Sequence, residues 1–236
     1  MTATMTEFAS AEQGFSLISN QKLLSLYTAM IACRRIAEMP RDRLRENRSI
    51  HRAGFLRGHE AAAVGAAIDL RAEDTVAPAV LPDPALMAIN PRVQVAPSVL
   101  VAVRDAHKNS DVNKITLIFS SRRRGSESSW LNALTLAGEH NLPVLFVSLD
   151  RPETPQDSAA VEAIRMKRKG YAVPSICVDG NDVVAVYRVA SESISHARNG
   201  HGPALIDCRL PSLGDPLEGM QNYLIGKGLN PGEFAT

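Results

Sequence analysis

Two clusters of charged side chains stand directly after apolar runs. The first is Ser121-Arg122-Arg123, extended by Arg124, within "ITLIFSSRRRGSESSW". The second is Asp150-Arg151, after "PVLFVSL". Each run reads as a buried strand, and ligands of open α/β sheets bind outside the carboxyl ends of strands. A guanidinium has five donors, no acceptor and a permanent charge. It ligates no cation, but it can grip a phosphate or carboxylate through paired hydrogen bonds. A helix beginning near Ser126 would add backbone donors that favour an anion. The residues alone leave two readings open. Either the arginines are solvated or paired with Asp150, Glu127 and Glu153, or they hold a phosphate-bearing ligand without a metal.

The other candidates have structural explanations. His59 stands at a helix start and reads as a structural histidine; Glu60 beside it supports packing. His140, at a helix end, reads as a surface residue favoured by the helix dipole. Asp179 and Asp182 flank Gly180-Asn181, where turn and cap roles suffice. No Ser-His-Asp, Cys-His or zinc-type spacing occurs. Cys33, Cys177 and Cys208 form no C-x-x-C pair and lie in apolar segments, so all three are expected as buried thiols in a reducing compartment.

Composition narrows the class. With 26 basic and 25 acidic residues the net charge is +1, which argues against nucleic acid and membrane surfaces as partners. Aromatics are 5% of the chain, too few for base-stacking platforms. No apolar run approaches the roughly 20 residues of a membrane span. The start "MTATMTEFASAEQGFS" lacks the basic and apolar parts of a secretory signal, so the expected location is cytoplasmic. The arginine-rich "RDRLRENRSIHR" reads as a solvated face or an anionic partner site.

These residues need elements to position them. Residues 1–19 read as a flexible lead-in and 20–236 as a single α/β domain. Asn20 suits an N-cap for a helix running to about Met39, stopped by Pro40. Gly58 to Leu70 reads as a small-residue helix packed closely on its neighbours. Five prolines between Pro78 and Pro97 keep regular structure there short. From Ile115 the pattern alternates. Strands are expected at Ile115–Ser120, Pro143–Leu149, "PSICVDG" and "PALIDCRL". Helices are expected at Ser126–His140, at Ser158–Lys169 closed by Gly170, and at Asp182–Asn199 closed by Gly200. Continuously apolar strands alternating with helices imply a parallel sheet with helices on both faces and a helical N-terminal extension.

Several blocks carry a family resemblance: "LLSLYTAMIACRRIAEM" with "GFLRGHEAAAVGAAIDLRAEDTV", "NLPVLFVSLD", "KRKGYAVPSICVDGNDVVAVYRVASESISHARNGHGPALIDCRL" and "DPLEGMQNYLIGKGL". "VDGNDVVAVY" followed by "ARNGHGPALID" is the most specific. The chain resembles the alpha subunit of thiamine-diphosphate-dependent 2-oxo acid dehydrogenases of the pyruvate and branched-chain type. The resemblance implies a parallel sheet that holds the cofactor diphosphate, with the cofactor supplying the carbanion that decarboxylates the 2-oxo acid before transfer to a lipoyl carrier. It also implies association with a second copy and with beta subunits.

The family holds its diphosphate through Mg²⁺, using the Asp of Gly-Asp-Gly after one strand, an Asn after the next, and a nearby carbonyl. Aligned on Leu142-Pro143, Gly-Asp-Gly falls on Ser121-Arg122-Arg123 and Asn-Asn on Asp150-Arg151. Other family elements are also missing. "APAVLPDP" replaces a Tyr-Arg pair, Pro78 to Lys114 is shortened, and "RLPSLGDPLEG" lacks a Gly-His-Ser element. No catalytic residue, metal ligand, thiamine diphosphate or Mg²⁺ is therefore expected. Three functions stay open: an assembly or regulatory subunit pairing with a homodimer mate or a beta-like chain; a binder of phosphate or another anion; or an active oxidoreductase of 2-oxo acids completed by a beta-like partner.

Overall fold

The computed structural model describes residues 18–39, 57–77, 83–109, 113–120, 127–150, 173–210 and 214–234. The first helix, α1 (Asn20–Ala37), buries Leu23, Leu26, Tyr27, Met30 and Cys33 along one stripe. Its cap is Ser19 rather than Asn20: the Ser19 hydroxyl accepts from the Lys22 backbone N–H at 3.2 Å. This choice puts Ile18 before the cap and Leu23 at the fourth helical position. Both are core residues, as in a hydrophobic staple.

The second helix, α2 (Glu60–Ala67), is buried at every residue. Its alanines and Gly65 let it lie closely against a later helix. A Cβ at Gly65 would stand 2.9 Å from the Cβ of Val186. A short strand β1 (Thr75–Ala77) follows, then α3 (Asp83–Ile89), the two-residue β2 (Gln94–Val95) and α4 (Val99–Asn109). The proline-rich stretch thus holds only short elements, because each proline removes a donor and restricts the residue before it.

The alternating part contains β3 (Thr116–Ser120), α5 (Glu127–Glu139), β4 (Val144–Asp150), β5 (Ser175–Asp179), α6 (Val183–Arg198), β6 (Ala204–Arg209) and α7 (Pro216–Gly226). A 3₁₀ turn at Pro231–Phe234 ends the described chain. The helix expected at Ser158–Lys169, with Gly170, lies outside the described residues. All six strands are parallel, in the order β2-β1-β3-β4-β6-β5. The α/β expectation holds. The sequence reading passed over β1, α3, β2, α4 and α7.

Side chains alternate across the sheet. Leu117, Phe119, Leu145, Val147, Ile206 and Cys208 share one core with α1, α2, α6 and α7. Ile118, Val144, Phe146 and Leu205 share the other with α4 and α5, where Trp130 meets Phe146 edge-on, ring centroids 5.1 Å apart. Strand β5 is the edge, so one cysteine expectation fails. Cys33 and Cys208 are buried, but Cys177 on β5 is exposed. An apolar neighbourhood in sequence does not bury a side chain on an edge strand.

Buried charges clamp the frame. Asp74 is fully buried and accepts from the backbone N–H groups of Ile115 and Arg71 and from the Arg198 guanidinium. It ties the entries of β1 and β3 to the end of α6. Asp182 caps α6, accepting from the N–H groups of Val184 and Ala185, and Asp179 accepts from Asn181 N–H. The turn and cap roles expected for both aspartates hold.

Candidate functional site

Every strand points its carboxyl end to one edge of the sheet, and the chain's route singles out a crevice there. After β1 the chain turns to β2 on one side; after β3 it turns to β4 on the other. Such a reversal between adjacent strands opens a crevice at their carboxyl ends. Ala77 and Ser120 border it. Strand β4 lies beside β3, with Ser120 level with Ser148, and ends at Asp150.

The two charged clusters therefore follow directly, in sequence, from the ends of neighbouring strands. Asp150 closes β4. Ser121, Arg122, Arg123 and Arg151 lie outside the described residues, as do residues 78–82 after β1 and 211–213 after β6.

Within the described strands a polar row crosses the sheet one residue pair inside this edge. Ser120 is level with Ser148, Ser148 with Asp207, and Asp207 with Cys177. All four lie on the face that carries Phe146 and Leu205. Ser148 and Asp207 are buried. The Cys177 thiol donates to Asp207 at 3.5 Å, and the Arg209 guanidinium lies 4.0 Å from the same carboxylate oxygen. Two register positions further outward, Asp150, Arg209 and Asp179 are aligned at the strand ends, acid, base and acid in sequence.

The sequence reading missed Asp207, Ser148 and Arg209. The signal available was a polar residue within each of the apolar runs "PVLFVSL" and "PALIDCRL". That signal shows only an interruption; the parallel register brings the interruptions side by side. The row sets hydroxyls, one carboxylate and one thiol side by side. Among the described residues no group of three or more His, Cys, Asp or Glu side chains could hold a metal ion.

Glu60 and His59 stand at the start of α2. Glu60 is fully buried, ion-paired to Arg34 at 2.5 Å, and accepts from Gly58 N–H at 2.7 Å. His59 is the buried residue preceding α2, 3.4 Å from the Arg57 carbonyl. Burial and the nearby Glu60 charge push the Cys33 thiol up to about 12, so it stays protonated and inert. No described helix is long and apolar enough to cross a membrane.

Comparison with known proteins agrees with the frame. The model of the dehydrogenase E1 component family matches residues 85–210, just over half of the chain. The chain is 35% identical over 105 residues to the alpha subunit of acetoin:2,6-dichlorophenolindophenol oxidoreductase from Bacillus subtilis, covering 43% of this chain and 32% of that one. It is 34% identical over 115 residues to the alpha subunit of 3-methyl-2-oxobutanoate dehydrogenase from Mycobacterium tuberculosis, covering 46% and 31%. To the alpha subunit of the pyruvate dehydrogenase E1 component from Porphyra purpurea it is 31% identical over 114 residues, covering 44% and 33%. The matches span about a third of the length of these relatives. With the parallel sheet and the family match together, the chain belongs to the dehydrogenase E1 component family.

Proposed function

We propose that this chain is an alpha-subunit-like member of its family that lacks a magnesium and thiamine diphosphate site of its own and acts as an assembly or regulatory partner of a beta-like chain or a second copy. One observation carries the reading. Adjacent strands β3 and β4 end at Ser120 and Asp150, and the residues that follow are Ser121-Arg122-Arg123 and Arg151. The resemblance, anchored on Leu142-Pro143, implies that the family's magnesium ligands fall at these positions.

The donor set does not fit the group. Mg²⁺ demands near-octahedral oxygen ligands. Arg122 and Arg151 offer none, and their permanent charges oppose a second cation. Asp150 is the one acidic residue of the set. No catalytic step through thiamine diphosphate is therefore derived for this chain alone.

Calorimetry on the full chain tests this. Titration with thiamine diphosphate plus Mg²⁺ is expected to give no binding heat. Micromolar binding would overturn the reading and favour an active thiamine-diphosphate oxidoreductase that a beta-like partner completes.

The arginines also favour a second reading, a metal-free site for a phosphate-bearing ligand, because α5 begins at Glu127 just beyond them. Titration with inorganic pyrophosphate is then expected to give binding that the Arg122→Glu and Arg151→Glu double variant abolishes. Unchanged binding in that variant would reject it.

A further inference from the structure

Four of the chain's six histidines occur where α4, α5 and α6 end, at the amino-terminal edge of the sheet. They form two close ring pairs. His107 and His140 come from different elements, with centroids 4.2 Å apart. His196 and His201 belong to one helix end, with centroids 4.5 Å apart and ring planes 31° from parallel. The second pair is built by the backbone.

Helix α6 closes with Gly200 at φ 79°. The His201 N–H donates to the His196 carbonyl at 3.3 Å, and the Gly200 N–H donates to the Ala197 carbonyl at 3.0 Å. These two bonds define a Schellman motif, in which the residue after the left-handed position folds back over the third residue from the helix end. That contact is commonly apolar.

This chain contains its own controls. Helix α5 ends with Asn141 at φ 51°, and Leu142 N–H donates to the Ala137 carbonyl at 3.0 Å. Helix α7 ends with Gly228 at φ 73°, and Leu229 N–H donates to the Leu224 carbonyl at 3.0 Å. The folded-back pairs there are Ala137 with Leu142 and Leu224 with Leu229, each pair within one apolar cluster. At α6 two exposed imidazoles take the same positions. Apolar packing does not explain that choice.

The pair's spacing also matches two imidazoles about one metal ion. A metal–imidazole nitrogen bond of about 2.0–2.1 Å puts the ring centroid about 3.2 Å from the ion, so two rings at a right angle about one ion stand about 4.5 Å apart. The tetrahedral angle would need about 5.2 Å. The observed 4.5 Å fits the right angle, which suits Ni²⁺ and Cu²⁺ among the cations that imidazole prefers. The carbonyl end of α6 adds a partial negative charge. Water would fill the remaining positions, since no third such side chain joins the pair among the described residues.

We propose that His196 and His201 form a two-imidazole site for a divalent transition cation of the Ni²⁺/Cu²⁺ class. The test uses the full chain, stripped with chelator and free of any polyhistidine tag, with NiCl₂ as probe in calorimetry. One Ni²⁺ per chain is expected at pH 7.5. His196→Leu and His201→Leu each weaken it at least tenfold and leave the melting temperature unchanged or raised, because leucine is the residue α7 uses at the same two positions. His140→Leu leaves affinity within about twofold. Absence of Ni²⁺ binding, unchanged affinity in both leucine variants, or loss in His140→Leu alone would overturn the site.

Discussion

At the residue scale two largely buried charge clusters stand out among the described residues, Arg34 with Glu60 and Asp215, and Arg198 with Asp74. Arg34 is the centre of one. Its Nε meets Glu60 at 2.5 Å, and its two terminal nitrogens grip Asp215 at 2.7 and 2.8 Å. Asp215 also caps α7 by accepting from Leu217 N–H. Truncating Arg34 strands Glu60, whose side chain is wholly buried, so Arg34→Leu is expected to cost about 3–5 kcal/mol in urea unfolding. The Arg34 hydrogen bonds hold the Asp215 carboxyl down to about 2. A depressed carboxylate stabilises the fold above its ordinary pKa and ceases to do so as pH falls through that value toward 2. Asp215→Asn should therefore flatten the decline in melting temperature between about pH 4 and pH 2. The thiols divide by burial. In the native chain Ellman's reagent is expected to modify Cys177 quickly, and Cys33 and Cys208 only on unfolding.

At the element scale α2 is the most constrained piece. It packs against α1 and α6 with no exposed residue, and Gly65 marks the closest approach. Alanine at that position would gain about 1 kcal/mol of helix propensity. It would also set a Cβ 2.9 Å from Val186 Cβ and Cγ1 and 3.0 Å from the Tyr187 backbone nitrogen. Overpacking of that kind costs about 1–3 kcal/mol and a backbone atom cannot step aside, so sterics win. Gly65→Ala is expected to lower stability, and Val186→Ala added to it to recover part of the loss. A stabilised Gly65→Ala would show that α2 and α6 are less tightly fixed than they stand here.

At the scale of the whole molecule the strand order decides where a ligand could bind and which edges are open. Crossing from β2 back to β3 sets the switch in strand order beside Ser120, and crossing from β4 out to β5 leaves β6 inside the sheet. The rim therefore presents Asp150, Arg209 and Asp179 in line. An assembly role predicts that a beta-like chain from the same source, expressed together with this one, co-purifies with it. Light scattering should then report a mass well above 25.5 kDa. A stable monomer that captures neither a beta-like chain nor a second copy would count against that role.

The sequence by itself determined the α/β class, the parallel strands from Ile115 onward and the C-terminal stop of α6 at Gly200. Continuous apolar runs, 3.6-residue periodicity and glycine stops are local signals, each written within a dozen residues. The placement of arginines at the family's magnesium-ligand positions is an expectation of the resemblance, anchored on Leu142-Pro143. Strands of two and three residues are too brief to carry a period, so β1 emerged only through its pairing with β3 and β2 only through its pairing with β1. Tertiary structure alone decided the partners of Arg34, one of which is 181 residues away, and the exposure of Cys177. It alone aligned Ser148 with Asp207 and turned His201 back over His196. The reason is the same in each case: pairing across strands and burial depend on which segments become neighbours in space, and no local pattern records that.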